Sequence, residues 1–379
     1  MLPLRLIACL LLIPLFASAA DSPRIPGPPE LGLKAYFLID FDSGKVLAES
    51  AADDRIEPAS LTKVLTVYTV ADALRQGRIK LTDSTVVSEH AWKQEGSRMF
   101  LDVNKPVTVD QLLHGDIIQS GNDASVALAE HVAGTEAAFA EAMNHHAQAL
   151  GMANSHFMNS TGLPDPEHYT TARDLAILSE ALIREFPDIY AYFKQPEFTY
   201  NNIRQPNRNG LLGKDPSVDG IKTGHTDSAG YCLIASAKRE GMRLISVVLG
   251  AKSNSERTRA SQALLNYGFH FYETRQLYAA NAKVTEAPVW LGTADKLSIG
   301  VGKQAVAVTF PRGQFDKMKA TLDLPARLEA PIAKGTALGT AHIELDGKSL
   351  AEVPLIALDD VPEGSFFSRL YDRARLMMQ

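Results

Sequence analysis

The chain has 379 residues, 45% of them hydrophobic and 22% charged, with a formal net charge of −6. That length supports two or three domains, and the balance excludes a disordered chain, a bundle of membrane spans and, for want of a basic excess, a nucleic-acid binder. Residues 1–20 read as an export signal: Arg5 is the only charge, an apolar run ends at Leu15-Phe16, and Ala17-Ser18-Ala19-Ala20 offers small residues for cleavage. The run is short and broken by Pro14, which argues against a span. Removal of Cys9 with the leader leaves Cys232 alone in an apolar run, so the exported chain relies on its core and not on an internal disulfide.

After a proline-rich stretch from Pro23 to Pro29, Lys34–Asp40 and Lys45–Glu49 flank Asp42-Ser43-Gly44 and predict a β-hairpin. Pro58-Ala59-Ser60-Leu61-Thr62-Lys63 then opens an apolar run, Val64 to Leu74, that stops before Gly77, with proline near the helix start and glycine past its end. On that helix Ser60 and Lys63 are three apart and share a face, where an amine can take a hydroxyl proton if its pKa is pulled toward neutrality. Residues 80–107 mix polar and single apolar side chains and predict an irregular segment. Thr108-Val109-Asp110-Gln111 has the form of a capping box ahead of Leu112, Leu113, Ile117 and Ile118, so a helix is expected to end near Gln119. Ser120-Gly121-Asn122-Asp123 breaks it, and more helix is expected over Ala124–Val132, Ala137–Leu150 and Thr171–Arg184, with a loop from Asn159 to Pro166 before the last.

From Val218 the pattern turns to strands: Val218–Gly224, Tyr231–Ala237 and Leu244–Leu249, the last two joined as a hairpin at Glu240-Gly241, then a helix from about Ser255 to Phe271. The first module, over 21–280, is thus a sheet flanked by helices, its first strands drawn from its beginning and its last from its end. Short alternating runs between Val306 and Leu358, with a strong hairpin signal at Asp346-Gly347, predict a small all-β domain over 281–362. Residues 363–379 differ from both. Over Ser365–Gln379 a helical wheel puts Phe366, Phe367, Leu370, Tyr371, Ala374, Met377 and Met378 on one side and Arg369, Asp372, Arg373 and Arg375 on the other, with only Leu376 out of place. A basic amphipathic helix on an acidic chain predicts attachment to an anionic membrane surface; the alternative is docking on the protein's own surface.

Three short motifs stand out, and each occurs once: Ser-x-x-Lys at Ser60 and Lys63, Ser-x-Asn at Ser120 and Asn122, and Lys-Thr-Gly at Lys222, Thr223 and Gly224. Singly they read as a cap, an interhelical turn and a strand end. Together, in this order and on a helix start, an interhelical loop and a strand, they form the motif set of penicillin-binding proteins and class A β-lactamases. The contexts Pro58 to Lys63, Gln119 to Ala124 and Asp219-Gly220-Ile221-Lys222-Thr223-Gly224-His225-Thr226 closely resemble low-molecular-mass penicillin-binding proteins of the D-alanyl-D-alanine carboxypeptidase type, and the match runs from about Ala35 to the C-terminus.

The resemblance implies an α/β (α+β) penicillin-binding/β-lactamase-like transpeptidase domain with an antiparallel sheet and a helical cluster, then a small all-β domain and an amphipathic tail. It also implies a periplasmic enzyme on the inner membrane, acting on peptidoglycan stem peptides and covalently inhibited by β-lactam antibiotics. Ser60 would attack the carbonyl between two terminal D-alanines, with Lys63 as base. Lys222 would lower the Lys63 pKa by like charge, assisted by burial, and would attract the substrate carboxylate with Thr223. Ser120 would relay a proton to the leaving amine, Asn122 would bind the substrate amide and brace Lys63, and the backbone N–H groups of Ser60 and His225 would form the oxyanion hole. Arg257 is a weaker candidate for a carboxylate contact, a solvated arginine on a helix surface being the plainer reading.

Two rivals stand beside this reading. A β-lactamase ranks second, because Gly121 stands where class A enzymes have aspartate and Glu167 is followed four later by Thr171, not asparagine. A membrane-attached peptidoglycan-binding scaffold ranks third, because a binding module has no use for a lysine kept neutral. His145-His146 and His168 lack metal-ligand spacing, so neither a metal nor a cofactor is expected.

Overall fold

The computed structural model describes residues 25–377. The export signal expected over residues 1–20 therefore lies outside the described residues, as does Met378 of the tail.

β1 (Ala35–Asp40) and β2 (Val46–Ser50) form the expected hairpin, with Gly44 in the left-handed region of the turn at φ 70°. α1 (Lys63–Arg75) follows a 3-10 turn over Ala59–Thr62. Every residue from Lys63 to Ala73 is buried, so α1 is enclosed on all sides and runs through the middle of the helical cluster. α2 (Val109–His114) begins with the expected capping box: Gln111 N–H donates to Thr108 Oγ1 at 3.2 Å and Thr108 N–H to Gln111 Oε1 at 3.1 Å. It widens into a π-type turn over Gly115–Gln119, and after the break come α3 (Asn122–Ala133), α4 (Glu136–Leu150) and α5 (Ala172–Glu185).

β3 (Val218–Thr226), β4 (Gly230–Arg239) and β5 (Met242–Ala251) complete an antiparallel sheet in the order β2-β1-β5-β4-β3. Beginning and end of the module thus pair directly, Phe37 opposite Val247. The strands alternate with period two. Phe37, Ile39, Ile234, Ile245, Val247 and Leu249 face the helical cluster, while Leu38, Leu233, Ala235, Leu244 and Val248 pack under α6 (Asn254–Phe271). Burying one such side chain stabilises by about 1.5–3 kcal/mol, and two apolar faces require two helical layers.

Two segments were not legible as elements. Residues 80–107 hold a short pair of strands, Ser84–Val86 against Pro106–Thr108, and one helical turn at Glu89–Trp92 capped by Ser88, where the sequence predicts irregular chain. Residues 187–206 hold a helical turn and a small hairpin, Glu197–Tyr200 with Ile203–Pro206.

The second module starts before residue 280 by strand pairing, because β6 (Tyr272–Tyr278) pairs with β9 (Val306–Pro311). Between them lie β7 (Lys283–Trp290) and β8 (Lys296–Gly300). These join β10 (Met318–Asp323), β11 (Leu328–Glu329), β12 (Ala337–Leu345) and β13 (Lys348–Ala357) in a six-stranded sheet. Asp346-Gly347 makes the expected tight turn between β12 and β13, with φ of 49° and 75°. The chain continues into α7 (Phe366–Met377).

Candidate active site

The turn that carries Ser60 is held in an unusual backbone state. Ala59 sits at φ +48°, a conformation in which an L residue is strained. Two glycines press against it. A Cβ on Gly162, itself at φ +82°, would stand 1.8 Å from Ala59 O, and one on Gly224 would stand 3.0 Å from Pro58 O. Only backbone without side chains fits there, and it wedges the loop after α4 and strand β3 against the serine from two sides.

The three motifs meet around that turn. Lys63 Nζ is 3.4 Å from Ser60 Oγ and donates to Asn122 Oδ1 at 2.7 Å and to Thr161 O at 2.6 Å. Asn122 is oriented in turn by donating its Nδ2 to Glu95 O at 2.6 Å. Ser120, at φ +64° where the π-type turn ends, directs its Oγ at Lys222 Nζ, which donates to it at 2.8 Å and to Thr223 O at 3.2 Å. Ser60, Ser120, Asn122, Thr223, Gly224 and His225 all line one cleft of about 180 Å³. The side chain of Ser60 caps no helix end, so the plain capping reading of that serine does not hold.

Both lysines are essentially buried, and burial is the main cause that lowers both pKa values. Lys63 comes down to about 8, with the carboxylates of Asp116 and Asp123 pulling it back up and Arg208 pushing it further down. Lys222 is lowered well below an ordinary lysine, by burial first and then by the charge of Lys63. This corrects the order of causes expected from sequence. Desolvation is the largest cause at both lysines, and the like-charge repulsion weighs on Lys222.

Arg257 also departs from expectation. The residue is only 6% exposed; its Nη1 donates to Gly224 O at 2.9 Å and Cys232 O at 3.3 Å, and its Nε to Asn254 Oδ1 at 3.0 Å. It is a buried strut under β3 that reaches the cleft, not a solvated surface arginine. His225 is exposed at the rim, its ring 3.9 Å from that of Tyr231.

Arg208 was missed. It lines the cleft as an exposed side chain, and partial desolvation of its guanidinium lowers its pKa. Its loop is shaped by Asn209, which donates to Gly220 O at 3.0 Å, and Asn207, which donates to Gln195 O at 3.0 Å. The Asn-Arg-Asn triplet is a loop signal at most, and no periodicity marks it. His168 serves the scaffold: Met158 N–H donates to its Nδ1 at 3.3 Å, so its Nε2–H donates to Thr62 Oγ1 at 2.9 Å.

Known proteins resemble this chain over most of its length. A family model described as D-alanyl-D-alanine carboxypeptidase matches residues 22–253, and one described as Penicillin-binding protein 5, C-terminal domain matches residues 272–363. The chain is 45% identical to D-alanyl-D-alanine carboxypeptidase DacA of Escherichia coli (strain K12) over 361 residues, which is 93% of this chain and 89% of that protein. Its fold is similar to penicillin-binding protein 5 from Haemophilus influenzae, with a TM-score of 0.86 and 42% identity, covering 89% of this chain and 100% of that one. It is similar too to penicillin-binding protein D2 from Listeria monocytogenes in its ampicillin-bound form, with a TM-score of 0.60 and 29% identity over 64% of this chain and 100% of that one.

Proposed function

We propose, for a chain that belongs to the D-alanyl-D-alanine carboxypeptidase family of serine peptidases, that the cleft between α1, α3 and β3 performs the hydrolysis with Ser60 as its nucleophile. The protein is a penicillin-binding D-alanyl-D-alanine carboxypeptidase that removes the terminal D-alanine from pentapeptide stems of peptidoglycan. One observation carries the assignment of residues: a buried amine of lowered pKa, Lys63, 3.4 Å from the hydroxyl of Ser60.

Lys63 takes the Ser60 proton as Oγ attacks the penultimate D-alanine carbonyl. The oxyanion is received by the backbone N–H groups of Ser60 and His225, each such donor being worth about 3–4 kcal/mol. The peptide C–N bond breaks and the departing amine takes a proton through Ser120, which Lys222 holds in place. Water then adds to the acyl carbon and frees Ser60. Lys222, Thr223 and Arg208 receive the substrate carboxylate, Asn122 its amide, and Arg257 stiffens the strand that presents Gly224. A β-lactam acylates the same serine. No Asp or Glu lines the cleft among the described residues, which supports slow deacylation over β-lactamase turnover.

The tail supports attachment to a membrane surface. Phe366, Phe367, Leu370, Tyr371 and Met377 are each more than half exposed, whereas Asp372 accepts the Leu291 N–H at 2.8 Å and Arg375 lies 5.4 Å over the Trp290 ring. α7 thus touches the β domain with its polar side and leaves its apolar side free, against the self-docking alternative. Among the described residues no helix is long and apolar enough to cross a membrane. We place the enzyme on the periplasmic face of the bacterial inner membrane, held by residues 365–379.

Intact mass of the exported chain with benzylpenicillin, run beside D-alanine release from a D-alanyl-D-alanine peptide, tests the reading. A lasting adduct on Ser60 with D-alanine release is expected. Rapid adduct loss with penicillin consumed and no D-alanine would move the assignment to a β-lactamase, and neither signal would leave a scaffold.

A further inference from the structure

Asp116 is fully buried on the turn Gly115–Gln119 that leads into Ser120. Ser125 Oγ donates to its Oδ1 at 2.5 Å, and its Oδ2 has no hydrogen-bond partner among the described residues. A carboxylate in such a place is costly unless an opposite charge compensates it, and the compensating fields here are those of Lys63 and Lys222. No step assigned above uses it.

We propose that Asp116 is a positioning residue that fixes at one the number of protons held between Lys63 and Lys222. The inference deepens the serine-lysine reading and rests on it. Two buried ammoniums with one carboxylate leave a net positive charge in the interior, and two amines with one carboxylate leave a net negative one. One ammonium, one amine and one carboxylate are neutral together, and a low dielectric favours that set. The cluster then holds one ammonium, and Lys63 becomes the amine beside Ser60 when that charge rests on Lys222 instead of on Lys63.

The other charged groups that face the cluster are Asp123 on α3, Glu136 on α4, Arg208, and Arg257 on α6. Most are already engaged. Asp123 accepts the N–H groups of Met99 at 2.9 Å and Leu101 at 3.0 Å, Glu136 accepts Ser160 Oγ at 2.6 Å, and Arg257 donates to two carbonyls. Among these acids only Asp116 has a buried oxygen without a partner among the described residues. Burial pushes its own pKa up, while the charges of Lys63 and Lys222 and the Ser125 hydrogen bond favour its carboxylate form.

The test is the pH profile of Ser60 acylation by benzylpenicillin in Asp116→Asn, which keeps the shape and removes the charge. The acid limb, where Lys63 loses its proton, should move to lower pH by about one unit, because a carboxylate in a buried, low-dielectric cluster supports the ammonium. Ser125→Ala removes the hydrogen bond to the carboxylate, together with the one that Ser125 Oγ gives to Gly121 O at 3.0 Å, and should move the limb the same way by less. If Asp116→Asn does not fold, the Ser125→Ala profile decides alone. An unmoved limb with Ser60 still labelled overturns the role of Asp116 and leaves the nucleophile standing. Failure of the wild-type protein to label at Ser60 would overturn both.

Discussion

Lys63 Nζ stands 3.4 Å from Ser60 Oγ, farther than from either oxygen that holds it, Asn122 Oδ1 at 2.7 Å or Thr161 O at 2.6 Å. The inequality has a chemical meaning. A neutral amine has two N–H donors and one lone pair, and the two shorter contacts use both donors. In that form the lone pair is left for the serine hydroxyl, whereas the ammonium gives its third N–H to Ser60 Oγ, so the position of Lys63 serves both forms.

Replacing Lys63 with alanine should therefore slow penicillin acylation by about a hundredfold to ten-thousandfold, the range for loss of a general base, with circular dichroism unchanged. Lys63→Arg should not restore the rate, since a guanidinium stays protonated. Ser60→Ala should show no adduct by intact mass. Normal labelling of Ser60→Ala, or an unchanged acylation rate in Lys63→Ala, would remove those assignments.

His168 should make the protein acid-sensitive. Burial holds its pKa down to about 4, against 6.5 for the free side chain. Below pH 6.5 the unfolded chain binds a proton that the folded chain refuses, so stability falls as pH drops from 6.5 to 4. The loss amounts to about 3 kcal/mol over that window. Urea midpoints measured across it should show a steeper decline for wild type than for His168→Gln; parallel curves would count against the assignment.

Gly162→Ala should damage both folding and catalysis. The new Cβ would fall 1.8 Å from Ala59 O, in backbone at φ +82° that alanine resists. We expect a loss of about 3 kcal/mol or more, with acylation of the surviving folded fraction slowed as the Ser60 turn is displaced. Gly134→Ala is the control: it stands at φ +81° but meets nothing within 4 Å, so only the backbone cost applies. Equal effects at the two sites would show that contact with Ala59 is immaterial.

Removing residues 365–379 should release active enzyme from membranes without changing D-alanine release from a soluble peptide. Leu370→Asp, on the exposed apolar side, should weaken binding to anionic vesicles, and salt should weaken it further by screening Arg369, Arg373 and Arg375. Undiminished vesicle binding after the deletion would rule out the tail as the anchor.

Elements with strong local signals were legible in advance. The apolar run after Lys63, the capping box at Thr108 and Gln111, and the Glu240-Gly241 and Asp346-Gly347 turns each state their structure within a few residues. Short pieces such as Ser84–Val86 or Glu197–Tyr200 carry too few residues to show a period, and they take their form from neighbours. Arg208 and Asp116 were missed for a related reason: neither belongs to a spaced pattern, and each matters only through what the fold places beside it.

The sequence by itself determined the chemistry available: a serine and a lysine on one helix face, a second serine with an asparagine, and a lysine on a strand, each pair set by the pitch of a helix or the reach of a turn. Only the tertiary structure decided that these groups meet, because Lys63 finds Asn122 across 59 residues and Lys222 finds Ser120 across 102. It also decided that the pKa of Lys63 is lowered, since proton affinity depends on how much water and which charges surround the amine, and those are properties of packing that local spacing does not encode.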